Sequence, residues 1–161
     1  MKVLKFGGSS VGNSERIRTV KKIITSEPLP LVLVVSALQG VTDALKNICE
    51  SAAGHDAGYR SRLEELINKH HVVCEELLEG DSLKSALSKI DKIFQELSET
   101  LSGLFLLREL SKYSLDKALS IGERVSSIII STFFENSLLI DSREIIKTDN
   151  HYGNANVDFE I

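Results

Sequence analysis

Residues Lys5 to Gly12, K-F-G-G-S-S-V-G, put one cation near the end of the short strand-like run Val3 to Phe6 and three glycines and two hydroxyls after it. Gly7 and Gly8 carry no Cβ, so the backbone there can bend sharply and turn several N–H groups toward a bound anion. Lys5 adds a positive charge just before the bend, and Ser9 adds a hydroxyl just after it. Phosphate is the anion that most often calls for such an arrangement. The plainer use of the same residues is a tight strand-to-helix turn with no ligand. Two familiar motifs are ruled out here. Asn13 stands where a P-loop needs its lysine, and Ser9 breaks the second glycine of the dinucleotide fingerprint G-x-G-x-x-G.

Two further segments carry residues suited to chemistry. Ser36 to Asp43, S-A-L-Q-G-V-T-D, repeats the pattern of an apolar run followed by small and hydroxylated residues. Thr42 can set its hydroxyl beside the free N–H groups of a helix start, which makes a good seat for a carboxylate; plain helix capping is the other use. Glu123 lies at the edge of the apolar face of a third segment, beside Leu119, Ile130 and Phe134. A carboxylate there needs a cation or hydrogen-bond donors. It is either paired internally, with Arg124 or Lys117, or free to receive a ligand's ammonium group. Gly122 weakens a helix, which suggests that something approaches the backbone closely.

The elements that hold these segments follow from periodicity. Val3 to Phe6 reads as a strand, and Asn13 or Ser14 caps a helix with Ile17, Val20, Ile23 and Ile24 on one face. Arg16, Arg18, Lys21 and Lys22 make up its solvated side. Leu31 to Val35 is a β-branched run suited to a parallel sheet covered on both faces. A second helix follows Asp43. Two long amphipathic stretches, Leu63 to Leu77 and Leu83 to Leu101, flank E-G-D-S and form an antiparallel helix pair within an insertion of about 55–110. Another helix runs from near Ser114 to about Phe134. Leu138 to Ile140 predicts a short strand, and Ile145 with Ile146 marks a further one. The result is an α/β sandwich with ligands at the carboxyl ends of parallel strands. The sequence closes on H-Y-G-N-A-N-V-D-F-E-I with no terminal helix pattern, which reads as a cut in mid-domain.

Composition narrows the class. The chain has 161 residues, 42% hydrophobic and 26% charged, enough for one domain with a core. A net charge of −4 argues against nucleic acid or an anionic membrane as partner. The N-terminus lacks the regions of a signal peptide, so a cytoplasmic enzyme or binding domain is expected. Cys49 and Cys74 read as buried free thiols, and the four histidines as surface or core-edge residues, with no metal-ligand spacing.

Taken together, K-F-G-G-S-S-V at Lys5 to Val11, V-V-S-A-L-Q-G-V-T-D at Val34 to Asp43 and S-I-G-E-R-V-S at Ser120 to Ser126 resemble the aspartate kinases of the amino-acid kinase superfamily. L-L-I-D-S-R-E-I-I-K-T-D, Leu138 to Asp149, resembles the segment that follows in those enzymes. The likeness is weakest from about Gly54 to Leu110. Ser9 stands where threonine is common in the family, and the hydroxyl is kept.

The resemblance implies a three-layer α/β/α sandwich, here truncated, with a mainly parallel sheet. It implies ATP-dependent phosphorylation of the β-carboxylate of L-aspartate, with ATP and Mg²⁺, in a cytoplasmic homo-oligomer that binds neither nucleic acid nor membrane. Lys5 would neutralise the transferring phosphoryl group, while Gly7, Gly8 and Ser9 would hold phosphate oxygens. Thr42, with Ser36 nearby, would orient aspartate, and Glu123 would accept its α-ammonium. In that family the nucleotide-binding half and the regulatory domains lie downstream of the last matched segment, so this chain is expected to be an N-terminal portion with little activity alone. Glutamate, acetylglutamate, carbamate or UMP kinases of the same superfamily are the alternatives, together with a non-catalytic anion-binding module. V-T-D and G-E favour aspartate.

Overall fold

The computed structural model describes residues 1–159; Glu160 and Ile161, the end of the closing segment, lie outside the described residues. The order is β1 (Lys2–Phe6), α1 (Ser14–Thr25), β2 (Leu31–Val35), α2 (Val41–Ala53), α3 (Tyr59–Leu77), α4 (Gly80–Leu107), α5 (Lys112–Phe133) and a single turn, α6 (Ser142–Ile145). β1 and β2 pair in parallel, with Lys5 opposite Val34 and Phe6 opposite Val35. Parallel pairing needs a crossover, and α1 is that crossover. Asn13 starts it by accepting the Arg16 N–H at 3.0 Å, and Ile17 and Val20 bury its inner face.

Strand alternation sorts the sheet into two faces. Phe6, Leu33 and Val35 pack against the helical core, whereas Val3, Lys5, Val32 and Val34 point away from it and are exposed. Among the described residues one face is therefore covered, not both. The core itself is helical. α2 lies against α3, α4 and α5, and its Leu45, Ile48, Cys49 and Ala52 are buried. α3 and α4 form the expected antiparallel pair across the two-residue link Leu78–Glu79, burying Leu66, Val73, Ile90, Phe94 and Leu97.

Several expectations change. Leu138 to Ile140 forms no strand and is exposed, and Ile145 ends the one-turn α6 instead of marking a strand. A strand needs a ladder partner, and the sheet among the described residues has only two strands. The basic side of α1 is not simply solvated. Arg18 bonds the Glu76 carbonyl, Lys21 bonds the Phe133 carbonyl at 2.9 Å and sits over its ring, and Arg16 bridges two loops.

His70 is wholly buried rather than at the core edge. Its Nδ1–H donates to the Leu66 carbonyl at 2.7 Å, which leaves Nε2 facing Phe94 without a partner. The sequence period put this position on the inner face of α3, and a neutral imidazole fills it as a core side chain.

Burial lowers the His70 pKa from 6.5 to about 4. An unfolded imidazole takes its proton near 6.5, so the native state loses stability as pH falls below that value, and the loss is complete below about 4. The loss should be roughly 3 kcal/mol. Urea unfolding of wild type and His70→Leu across pH 7 to 4 checks this. The two curves should converge or cross toward acid, and parallel curves would contradict it.

Candidate functional site

The candidate site forms where β1 and β2 end side by side. After Phe6 the chain turns through Gly7 and Gly8, and the Ser10 N–H closes the turn onto the Gly7 carbonyl at 2.8 Å. Val11, wholly buried, anchors the loop. No backbone or side-chain acceptor outside the strand ladder takes up the N–H groups of Gly7, Gly8 or Ser9 among the described residues. The Lys5 ammonium reaches the same turn, 3.5 Å from where a Cβ on Gly7 would lie, and no carboxylate among the described residues pairs with it. Uncommitted amides and an unpaired cation on one turn are chemically suited to an anion.

β2 ends beside it. The Ser36 N–H extends the ladder to the Phe6 carbonyl at 3.2 Å, after which Ala37 and Leu38 are buried. Gly40, in the left-handed region at φ 77°, starts α2 without any side-chain cap. Thr42 therefore does not cap; it stands exposed on the first turn, next to helix-start N–H groups that favour an anion. Asp43, one residue on, partly offsets that field.

α5 closes the third side. Glu123 Oε1 accepts the Ala37 N–H at 3.3 Å. The internal pairing considered for Glu123 does not form, because Arg124 turns to Glu96 at 2.9 Å. Glu123 is exposed, so its second carboxylate oxygen stays open to a ligand. Gly122 does admit a close approach, and the visitor is protein: a Cβ there would lie 2.8 Å from Ala37 Cβ and 3.1 Å from Val41 Cγ1. Gly8 serves the same residue from the other side, where a Cβ would come within 2.9 Å of the Ala37 carbonyl oxygen. Lys5, Gly7, Gly8, Ser9, Ser36, Thr42 and Glu123 thus all lie on segments that meet around Ala37.

Sequence reasoning missed Arg16, Gln39 and Lys69. Arg16 sits three residues after the Asn13 cap, in the first turn of α1, but its place on a basic helix face hid its tertiary partners. Gln39 and Lys69 left no sequence signal, being joined only by the fold.

Other chemistry is disfavoured. Burial pushes the Cys49 thiol up to about 11 and the Cys74 thiol up to about 12, so neither supplies a thiolate near neutral pH. Two surface hollows of about 430 and 400 Å³ lie elsewhere, one beside Lys21 and Phe133 and one between α3 and α4. Neither reaches the strand ends. The strand ends present an exposed shelf, with Ser9, Thr42 and Glu123 open to solvent.

Parallel strands ending in a glycine loop and a free helix start define an α/β domain suited to binding an anion. The chain belongs to the amino acid kinase family, whose profile matches residues 1–156. It is 33% identical over 149 residues to the chloroplastic bifunctional aspartokinase/homoserine dehydrogenase 2 of Arabidopsis thaliana, covering 89% of this chain and 16% of that protein. It is 32% identical over 163 residues to an aspartokinase of Chlamydia trachomatis, covering 99% and 34%. The fold superposes on E. coli aspartokinase III in complex with aspartate and ADP with a TM-score of 0.88 and 22% identity, covering 98% of this chain and 35% of that one. That likeness shows the amino-acid kinase fold over these residues. The chain spans about a third of the aspartokinases it matches and a smaller part of the bifunctional relatives. Among the described residues no helix is long and apolar enough to cross a membrane.

Gly122→Ala pits a helix-propensity gain of about 1 kcal/mol against overpacking of roughly 1–3 kcal/mol. Ala37 and Val41 are both buried, so overpacking should win and urea unfolding should show a net loss of stability. Adding Ala37→Gly should recover part of the loss by removing the opposing Cβ. A stabilised Gly122→Ala would mean that the Ala37 loop yields freely.

Proposed function

We propose that the protein carrying this chain is an ATP-dependent aspartate kinase that forms 4-phospho-L-aspartate and ADP. These residues then supply the aspartate and phosphoryl side of the active site. One observation carries the reading: the Ala37 peptide touches both halves of the site, its N–H on Glu123 and its carbonyl against Gly8. A seat for an ammonium and a seat for a phosphate are thereby one residue apart. The relatives named above, aspartokinases and aspartokinase/homoserine dehydrogenases, favour aspartate over the other acceptors of the family.

The reaction brings two anions together, so positioning and charge neutralisation do most of the work. Glu123 receives the α-ammonium of aspartate through its open oxygen. Thr42 and Ser36 orient the acceptor, and the N–H groups at the start of α2 favour its carboxylate. A β-carboxylate oxygen then attacks the γ-phosphorus, the bond to the bridging oxygen of ADP breaks, and no proton need move. Lys5 offsets charge on the transferring group, while the amides of Gly7, Gly8 and Ser9 with the Ser9 hydroxyl hold its oxygens. Mg²⁺ bound with ATP would share in offsetting the phosphate charge. A homo-oligomeric parent and a cytoplasmic setting belong to the same proposal. So does low activity of these residues on their own, since a kinase must hold nucleotide and acceptor together.

Steady-state kinetics of the full-length protein test the roles. Lys5→Met should lower kcat by about 10² to 10³ with little change in the KM for aspartate. Glu123→Gln keeps an oxygen for the Ala37 N–H but loses the charge, and should raise the KM for aspartate by roughly tenfold or more. Equal losses in both constants for both variants would contradict the separate roles, and phosphorylation of glutamate or UMP in preference to aspartate would overturn the substrate.

A further inference from the structure

We propose that Arg16 and Gln39 form a clamp that sets the distance between the two reactant seats, making Arg16 a positioning residue of the site. The inference rests on the kinase reading above. Arg16 Nη1 donates to the Ser9 carbonyl at 2.7 Å and to the Gln39 side-chain oxygen at 2.7 Å. An Nη group carries two hydrogens, so this one nitrogen is fully used in tying the glycine loop to the loop after β2. Ser9 belongs to the phosphate seat. Gln39 lies between Ala37, which meets Glu123, and the helix start that carries Thr42.

Both ends of the clamp are fixed. Arg16 is in the first turn of α1, and its own N–H is the one capped by Asn13. The Gln39 carbonyl accepts Lys69 Nζ of α3 at 2.7 Å. The side chain of Gln39 also lies over Gly12, where a Cβ would meet Gln39 Cβ at 2.9 Å and Oε1 at 3.1 Å. The missing Cβ at position 12 therefore lets the glutamine reach the arginine.

The chemistry of the pair is specific. Arginine can only donate, so the Gln39 oxygen, not its amide nitrogen, faces it. A planar guanidinium holds two acceptors in fixed directions, which a flexible lysine ammonium would not do. Arg16 is exposed, so the bridge adds little to global stability. Its contribution is to register. Two seats on separate loops bind their ligands independently, but transfer requires near-contact between the carboxylate oxygen and phosphorus, and a displacement of about 1 Å can cost about 10²-fold in rate.

The test uses Arg16→Met, Gln39→Leu and the double variant in the full-length protein. Each single change should lower kcat by about 10- to 100-fold while both KM values stay within about threefold. The double variant should be no slower than the worse single one, because both changes cut the same bridge. Gln39→Glu retains an acceptor oxygen and should keep near-wild-type turnover. Multiplicative losses, a kcat unchanged in Arg16→Met, a fall in thermal stability matching the fall in kcat, or a Gln39→Glu as slow as Gln39→Leu would each overturn the clamp. Amide hydrogen exchange separates this from the function itself. In Arg16→Met, the bonded amides of the two loops, Ser10 on one side and Ser36 and Ala37 on the other, should lose protection together, and loss in one loop alone counts against the clamp. If the wild type fails to phosphorylate aspartate, the kinase reading falls, while exchange still decides whether the loops are coupled.

Discussion

Ala37 can occupy its place only because positions 8 and 122 have no side chain. The Gly8 backbone approaches its carbonyl, and the Gly122 backbone approaches its methyl group, each at a separation that a Cβ would close to under 3 Å. The whole strand-end region is organised around this double approach. It lets the loop after β2 lie flat between the glycine loop and α5. It also brings the Ala37 N–H to Glu123. Any side chain at either glycine would lift the loop and separate the groups that the site needs together.

The helices around this point divide the work. α2 links the site to the core: its first turn faces the shelf, and its later turns bury Leu45, Ile48, Cys49 and Ala52 among α3, α4 and α5. α5 packs against α2 and α4 and buries Ile121, Val125, Ile129 and Ile130, so a strongly packed element carries Glu123. That rigidity matters for a carboxylate that is itself exposed, because buried neighbours on α5 such as Val125 and Ile129 fix its backbone while the Ala37 N–H holds one of its oxygens. α3, in the stretch where the family resemblance is weakest, still touches the site through Lys69 on the Gln39 carbonyl.

Charge is arranged with similar economy. Several cations of the domain are committed: Arg124 to Glu96, Arg143 to Asp141, Arg62 to Asp56 and Lys21 to a carbonyl and a ring. The Arg143 guanidinium holds the Asp141 carboxyl down to about 2, so that pair remains ionised near neutral pH. Lys5 is different. It stands at the glycine turn with no carboxylate partner among the described residues, and an uncommitted cation next to unfilled amides favours an anion.

The sequence alone settled what depends on local chemistry. The glycine turn after a short apolar strand, the Asn13 cap, the β-branched second strand and the amphipathic stretches of α3 and α4 each follow from contacts within a few residues, and each stands in the structure. The three site segments were legible because their residue types were out of keeping with plain helix or strand, Gly122 and Glu123 above all. Tertiary structure decided the rest. Leu138 to Ile140 has the composition of a strand but no neighbour to pair with among the described residues, and a ladder is a property of two segments, not one. His70 went to the core because the α3–α4 seam closes over it, which the adjacent His71 could not reveal. Arg16 looked like one member of a solvated basic face. Only folding brings Ser9 and Gln39 within reach of a single nitrogen, because the acceptors come from the ends of two strands that pairing sets side by side.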